Sequence, residues 1–310
     1  MSHRTSAVVV ADSISEYNEP TRLTSMYVVF PKMILGERNR HRAFSLSDRS
    51  SRAVPPEKLI QEVRGDPAMP ALFRGRTKGM GGGAILTGEA LDDAREDWKN
   101  TALVVVDCCD ALNVAGLSKE IVNRPLDPFI RMHSLMTATR DGWMNFFGLR
   151  LDPAADPTIQ VLAREAWRAY VASTPQLLRS GEWHLPFVDQ TDTEQFDYEI
   201  STGETEGLLG IFKKLSAARC AHLSYNDLET GKRMTIERAM SIYDKLVGSR
   251  PLHASPLEHQ ATPDRIVVGK NGSHADEWEH PELHGNLHGW IQFRKTLSGE
   301  AVAPMPEGYR

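Results

Sequence analysis

Basic and hydroxyl side chains are concentrated in one stretch, RHRAFSLSDRSSR, which runs from Arg40 to Arg52. It holds five cationic or potentially cationic side chains, four hydroxyls and one carboxylate. Guanidinium forks and hydroxyls are natural phosphate ligands, because both donate strong hydrogen bonds and arginine keeps a fixed planar geometry. An apolar, strand-like run leads straight into the stretch. The composition therefore indicates a phosphate-binding segment on a rigid scaffold, with a solvated charged loop as the alternative.

Two other patterns suggest chemistry and are weaker. His280, His284 and His288 recur at four-residue intervals, the spacing that stacks metal ligands on a helix. Pro281 and neighbouring glycines oppose a helix there, so we expect no metal site. The Gly-rich segment 74–84 contains TKGMGGGA, but it lacks the GK[ST] ending of a phosphate loop, and we expect a flexible lid or linker.

The basic stretch resembles the signature of the flavin-dependent thymidylate synthases, the ThyX class. That signature is an RHR followed by a serine, an Asn-Glu pair and a terminal Ser-x-Arg. The positions that match are Arg40, His41, Arg42, Ser45, Ser50 and Arg52. Asp48 stands where the family has glutamate, while Ser47 and Ala53 replace its asparagine and tyrosine.

Three further blocks extend the resemblance over most of the chain. WMNFFGLR (Trp143 to Arg150) is similar to the family helix that carries an asparagine and an arginine. ARCAHLSY (Ala218 to Tyr225) is similar to a family strand, and HASPLEH (His253 to His259) to the family's H-x-[ST]-P-F-E-H. In the common form of the family this last block precedes RHR. Its late position resembles a circular permutation, as in a longer, phage-rich branch with segments such as IVNRPLDPF (Ile121 to Phe129).

The resemblance implies an activity and a set of site residues. The reaction is transfer of a one-carbon unit from methylenetetrahydrofolate to C5 of dUMP, with FAD as cofactor and NADPH as reductant. The implied catalytic residues are Arg150 and Ser50. The implied flavin-binding residues are Arg40, His41, Arg42, Asn145, Ser255 and Glu258. The implied substrate-binding residues are Asp48, Ser50, Ser51, Arg52, Arg150 and Asp156.

Simpler interpretations stay open for several of these residues. Arg150 could form a salt bridge with Asp152, and His253 and His259 could be structural. Asp156 precedes Pro157, so it could cap a helix, or its carboxylate could accept from the N4 amine of a cytosine. The second possibility suits a dCMP or dUMP hydroxymethylase. A non-catalytic nucleotide-binding protein is the other alternative.

The elements that must position these residues follow from periodicity. We predict strands in SAVVVADSIS and in RLTSMYVVFPKMIL, the latter interrupted by Pro31. We predict helices over Asp92 to Leu112, Ser118 to Phe147, from Pro157, Glu206 to Arg219 and Thr235 to Val247. The expected fold class is α+β, a mixed sheet packed against long helices in a single domain over residues 1–310. The expected irregular parts are the Gly-rich loop at 74–84 and an acidic connection at 181–205.

Bulk properties set outer limits on function. The net charge of −5 lacks the basic excess of a nucleic-acid binder. The three cysteines, Cys108, Cys109 and Cys220, form no disulfide or CxxC pattern, which favours a reducing cytoplasm. The resemblance to a phage-rich branch extends this expectation to the cytoplasm of a phage-infected cell. We expect no membrane association. The family forms its flavin sites between subunits, so the resemblance also implies a homo-oligomer, with a tetramer as the expected state.

Overall fold

The computed structural model is built on a five-stranded sheet with the order β3-β4-β2-β1-β5. The strands are β1 (Ser6–Ser15), β2 (Arg22–Pro31), β3 (Ser45–Asp48), β4 (Arg131–Thr139) and β5 (Gln176–Leu178). The pairs are antiparallel except β1 with β5, so the sheet is mixed. The structure describes residues 5–17, 21–78, 82–192, 205–223, 234–249, 252–268 and 276–300.

Helices pack around this sheet, as the α+β prediction requires. Their bounds are α1 (Leu35–Arg38), α2 (Pro56–Gly65), α3 (Glu89–Val114), α4 (Lys119–Asn123), α5 (Arg140–Arg150), α6 (Pro157–Ala172), α7 (Thr205–Ala221) and α8 (Ile236–Gly248). Short 3₁₀ helices cover Lys32–Ile34, Arg124–Phe129, Ser255–Glu258, Pro281–Leu283 and Phe293–Thr296. No described helix is long and apolar enough to cross a bilayer.

Both faces of the sheet are covered. On one face, Met26 and Val28 of β2 and Met136 of β4 pack against Trp143, Phe146 and Phe147 of α5 and against α6. On the other face, Tyr27 and Leu135 contact Cys220 of α7. Alternation along a strand sends successive side chains to opposite faces, so the two central strands contribute to two cores.

The predicted helix over Ser118 to Phe147 is wrong. The segment contains α4, a 3₁₀ turn over Arg124–Phe129, strand β4 and only then α5. Pro125 and Pro128 remove backbone donors and end α4 early. Strand β4 is buried on both faces, so its apolar residues do not alternate with polar ones, and periodicity alone does not separate it from a helix.

A second core lies beside the sheet. Helix α3 packs along α2 and α4 through Val106, Cys109, Leu59 and Val122. Helix α3 confirms the prediction over Asp92 to Leu112 and extends it by one turn at its N-terminal end.

The C-terminal part adds further short strands. They are β6 (Ala261–Pro263), β7 (Ile266–Val268), β8 (Asp276–Trp278) and β9 (Trp290–Gln292), paired as β6 with β9 and β7 with β8. His184 attaches the 181–205 connection to β6: its N–H donates to the Ala261 carbonyl at 2.7 Å. Residues 193–204 of that connection lie outside the described part.

The Gly-rich segment 74–84 is closed at its base by backbone hydrogen bonds. Gly75 N–H donates to Ala84 O, and Gly83 N–H donates to Gly75 O, each at 2.9 Å. A Cβ at Gly83 would lie 2.9 Å from that carbonyl oxygen, so the close approach requires glycine. Residues 79–81 lie outside the described residues.

Candidate active site

The RHR segment lies at the edge of the sheet, between α1 and β3. Pro31 ends β2, and a 3₁₀ turn with α1 leads the chain to Arg40. Arg40 and Arg42 are exposed while His41 between them is buried. The two guanidinium groups are therefore available to a ligand, and His41 faces inward.

Arg150 contacts the centre of this segment. Helix α5 buries Trp143 and Phe147, and this packing brings Arg150 of its last turn to α1. The Arg150 Nε–H donates to His41 Nε2 at 2.8 Å, and Nη2 donates to the Glu37 carbonyl at 3.1 Å. Asp152 instead accepts from the Ala154 N–H at 2.7 Å, so the structure gives no support to an Arg150–Asp152 salt bridge.

His41 is held neutral. Burial, and the adjacent Arg150 charge, lower the pKa of His41 to about 4. Because Nε2 accepts from Arg150, the ring proton of the neutral imidazole lies on Nδ1. The residue therefore acts as an uncharged acceptor that orients the Arg150 guanidinium.

Ser50, Ser51 and Arg52 form a turn directly after β3. The Arg52 N–H lies 3.3 Å from Ser50 Oγ, and the side chains of Ser50 and Arg52 are exposed. Asn123 of α4, fully buried, donates through Nδ2 to the Ser51 and Val54 carbonyls at 2.7 and 3.0 Å. These bonds draw two carbonyl oxygens inward, so the outer side of the turn presents hydroxyl and guanidinium donors. Asn123 lies in the IVNRPLDPF block, where no local feature of the sequence marks it as a support of the turn.

Asp48, the last residue of β3, is paired with Arg38, an arginine that lies outside the family motif. Arg38 of α1 is fully buried and its Nη2 lies 2.5 Å from Asp48 Oδ1. Arg49 points away: its guanidinium lies 3.4 Å from Glu62 and donates to the Arg131 carbonyl. One of the five cationic groups of the motif is therefore structural.

The HASPLEH block packs beside β3. Its residues Ser255–Glu258 form a 3₁₀ helix, and His259 Nε2 lies 2.9 Å from Ser47 Oγ on β3. The Gln292 side-chain amide donates to the Glu258 carbonyl at 3.0 Å and to Ser45 Oγ at 3.3 Å. The fold thus places the HASPLEH block against β3, the strand that follows RHR in the same motif.

The remaining predicted site residues have different surroundings. Asn145 is exposed on α5, and His253 is exposed after α8. Glu258 forms an ion pair with Arg294, so it is not a free carboxylate. Asp156 caps α6: its Oδ1 accepts from the N–H groups of Thr158 at 2.7 Å and Ile159 at 3.4 Å. The capping interpretation of Asp156 is confirmed.

Comparison with known proteins agrees with these motifs. Residues 21–176, half of the chain, match the model of the family described as thymidylate synthase complementing protein. The chain belongs to the thymidylate synthase complementing protein family. The match spans RHR, the Ser50–Arg52 turn and α5, and the HASPLEH block lies outside it.

Solved structures are similar at low identity. The ThyX of Helicobacter pylori, solved with FAD and dUMP, is 17% identical, with a TM-score of 0.34 over 48% of this chain and 67% of that one. The UMP/dUMP methylase PolB of Streptomyces cacaoi, bound with 5-Br UMP, is 14% identical, with a TM-score of 0.45 over 64% of this chain and 95% of that one. A search of curated proteins found no match.

Within its described residues 218–223, the ARCAHLSY block of this thymidylate synthase complementing family member contains no strand. Ala218 to Ala221 form the last turn of α7, and Tyr225 lies outside the described residues. Arg219 points inward, where its Nη1 lies 2.7 Å from Asp192 Oδ2 in a buried ion pair. Cys220 of the same turn packs against Tyr27 and Leu135 of the sheet.

The histidines near the C-terminal end are tied to protein groups. His284 Nε2 lies 2.8 Å from Asp264 Oδ2, and the Trp278 indole N–H donates to His288 Nε2 at 3.3 Å. Within the described ranges, no three His, Cys, Asp or Glu side chains gather in a way that could hold a metal ion.

A cleft of about 700 Å³ lies away from the motifs of this family member, between α3 and the segment after α2. Asp66 on its wall is paired with Arg131, whose Nη2 lies 3.2 Å from Asp66 Oδ2. None of the predicted site residues lines this cleft.

Proposed function

We propose that the protein transfers a one-carbon unit from methylenetetrahydrofolate to C5 of a pyrimidine deoxynucleotide monophosphate, most simply dUMP to dTMP. The observation that carries the proposal is that two distant blocks contact the stretch from Arg40 to Arg52. Arg150 of α5 donates to His41, and His259 of the HASPLEH block contacts Ser47. Family membership supplies the reaction class.

The Ser50–Arg52 turn would hold the nucleotide phosphate. Its hydroxyls and the Arg52 guanidinium are donors, and Asn123 turns two carbonyl oxygens away from the same side. An anion is stabilised where donors face it and carbonyl dipoles do not.

Arg150 would face the pyrimidine carbonyls. A guanidinium there stabilises the negative charge that develops on the ring when C5 acts as nucleophile. Neutral His41 fixes the orientation of Arg150 through Nε without adding a competing charge. The negative charge of Asp48 is balanced by Arg38, so Asp48 would contact the substrate as a member of this ion pair.

Cysteine nucleophilic attack is not part of this proposal. Burial raises the pKa of Cys220 and of Cys109, so both thiols are held protonated. Cys108 is exposed on α3, which packs in the second core and not on β3.

Residues around β3 could hold FAD. Arg40 and Arg42 are exposed, and within the described part of the chain neither forms an ion pair, so both suit a pyrophosphate. Asn145 and Ser255 would add hydrogen bonds, while Glu258 would contribute only together with Arg294. FAD, when bound and reduced by NADPH, would supply hydride for the reaction.

Two features shape the finer proposal. Asp156 serves as a helix cap through Oδ1, so its presence is explained without a cytosine amine, and we keep dUMP as the proposed substrate. We also propose a homo-oligomer. Large apolar side chains, Val104, Val114 and Ile121, are exposed on α3 and α4 and would be available for association.

Mass spectrometry of products tests the function. The protein is incubated with dUMP or dCMP, methylenetetrahydrofolate, FAD and NADPH. We expect dTMP from dUMP. A hydroxymethyl product would establish the hydroxymethylase alternative, and nucleotide binding without any product would establish a non-catalytic protein.

A further inference from the structure

A chain of buried hydrogen bonds crosses the second face of the sheet. It connects four strands through two histidines, in the order Ser13, His184, Ser25, Thr137, His259 and Ser47. The successive distances are 2.8, 2.8, 2.5, 2.8 and 2.9 Å. All six residues are buried. Strands β1, β2, β4 and β3 each contribute one hydroxyl. The pairing of the strands places all four hydroxyls on the same face of the sheet.

Both histidines suit this chain only as neutral rings. Burial lowers the pKa of His184 and of His259 to about 3. A neutral imidazole offers one N–H donor and one acceptor nitrogen, and a hydroxyl serves as either. The chain can therefore satisfy all its members without a buried charge.

His259 connects the HASPLEH block to strand β3 in the candidate site. It follows Glu258 directly, so it ends the 3₁₀ helix that carries Ser255 and Glu258. Its Nε2 contacts Ser47, the neighbour of Asp48 on β3. Its Nδ1 contacts Thr137 on the adjacent strand β4, which anchors the ring from the other side.

We propose that His259 is a positioning residue that holds the Ser255–Glu258 helix at a fixed place beside strand β3. This inference rests on the proposed function, since it assigns Ser255 and Glu258 to the flavin side and the residues after Ser47 to the nucleotide side. Loss of the contact between His259 Nε2 and Ser47 would change the distance between the proposed flavin-binding and nucleotide-binding residues. It would leave the side chains of those residues unchanged. His184 has the same chemistry at the far end of the chain and contacts no predicted site residue.

Substitutions by Asn and Gln test the contacts of the two His259 ring nitrogens one at a time. His259→Asn places a polar atom near the Nδ1 position and can keep the Thr137 contact, but it is too short to reach Ser47. His259→Gln reaches the Nε2 position and can keep the Ser47 contact. Ser47→Ala removes the same contact from the strand side with the smallest change in volume. His184→Asn is the matched control at equal burial.

The experiment measures three quantities for each variant: the dUMP dissociation constant, the melting temperature, and hydrogen–deuterium exchange of residues 45–48. For His259→Asn and Ser47→Ala we expect about tenfold weaker dUMP binding, the effect of one lost hydrogen bond, and faster exchange in β3. His259→Gln should stay within about threefold of wild type on the same scale. His184→Asn should lower the melting temperature without changing dUMP affinity or β3 exchange.

Two results would overturn the inference. One is unchanged β3 exchange and dUMP affinity in both His259→Asn and Ser47→Ala, with only a lower melting temperature. The other is equal loss of dUMP affinity in His184→Asn. If the wild-type protein binds no dUMP, the proposed function fails, and β3 exchange still decides whether His259 holds the strand.

Discussion

Arg150 donates from Nε to Nε2 of His41, 2.8 Å away and 109 positions earlier in the chain. The contact joins the end of helix α5 to the RHR segment, so the proposed base-binding arginine is oriented by the flavin-binding motif. The bond requires a lone pair on His41 Nε2, and therefore a neutral ring. The geometry of the site thus depends on the protonation state of one histidine.

This dependence predicts that stability falls in acid. The pKa of His41 is about 4 in the folded protein and about 6.5 when unfolded, so the unfolded chain binds more protons between these values. The contribution of His41 is fully present above pH 6.5 and is lost as the pH falls toward 4. His184 and His259 act in the same direction. Melting temperatures from pH 8 to pH 4.5 measure the effect.

The substitution His41→Gln isolates the His41 contribution. The Gln carbonyl can accept from Arg150 and does not titrate, so the fall in melting temperature between pH 6.5 and 4.5 should be smaller than in wild type. A variant with an identical pH dependence would show that His41 does not contribute to it.

Replacing Arg52 with Ala should weaken nucleotide binding by about 2–4 kcal/mol, because a phosphate would lose a charge-assisted contact. FAD content should stay near normal. Calorimetric titration with dUMP measures the change. Arg168→Ala, on the outer surface of α6, is the matched control, since Arg168 is exposed and pairs only with Glu165 among the described residues. Equal affinities of the Arg52 variant and the control would place Arg52 outside the site.

Two substitutions at Asp156 separate its cap from a role in base recognition. Asp156→Ala should cost about 0.5–2 kcal/mol of folding stability, and Asp156→Asn much less, because Asn also caps a helix. Neither should change the ratio of dUMP to dCMP turnover. A shift from dCMP toward dUMP by about 1–3 kcal/mol in Asp156→Asn would instead show that the carboxylate reads the base.

The purified protein should bind FAD. Its absorbance spectrum, before and after addition of FAD, tests this directly. Arg40→Ala and Arg42→Ala should each reduce FAD uptake, while Arg164→Ala on α6 should not. A colourless protein that takes up no added FAD would end the proposal of a flavin-dependent enzyme.

Light scattering should show a homo-oligomer, with a tetramer as the expected state. The measurement is made on protein saturated with FAD, because the family forms flavin sites between subunits. A monomer with full FAD occupancy would contradict the proposed assembly.

Local signals in the sequence identified several elements correctly. Asp156 and Pro157 predicted the start of α6, since a capping carboxylate and a proline at the first position act within one turn. The β-branched run from Ser6 predicted β1. The resemblance of RHRAFSLSDRSSR and of three further blocks to the flavin-dependent thymidylate synthases indicated the family, and the family match confirmed it.

Strand β4 and the residues that support the site were decided only by the tertiary structure. Burial on both faces of β4 removes the alternation that marks a strand, so its sequence was predicted as helix. Asn123 and Arg38 are polar residues whose burial depends on partners distant in the chain or in another element. Ser47 and His259 are 212 positions apart, and no local pattern relates them. Helix caps and periodicity depend on neighbours in the chain, whereas these contacts exist only once the sheet has formed and the C-terminal segment has packed on it.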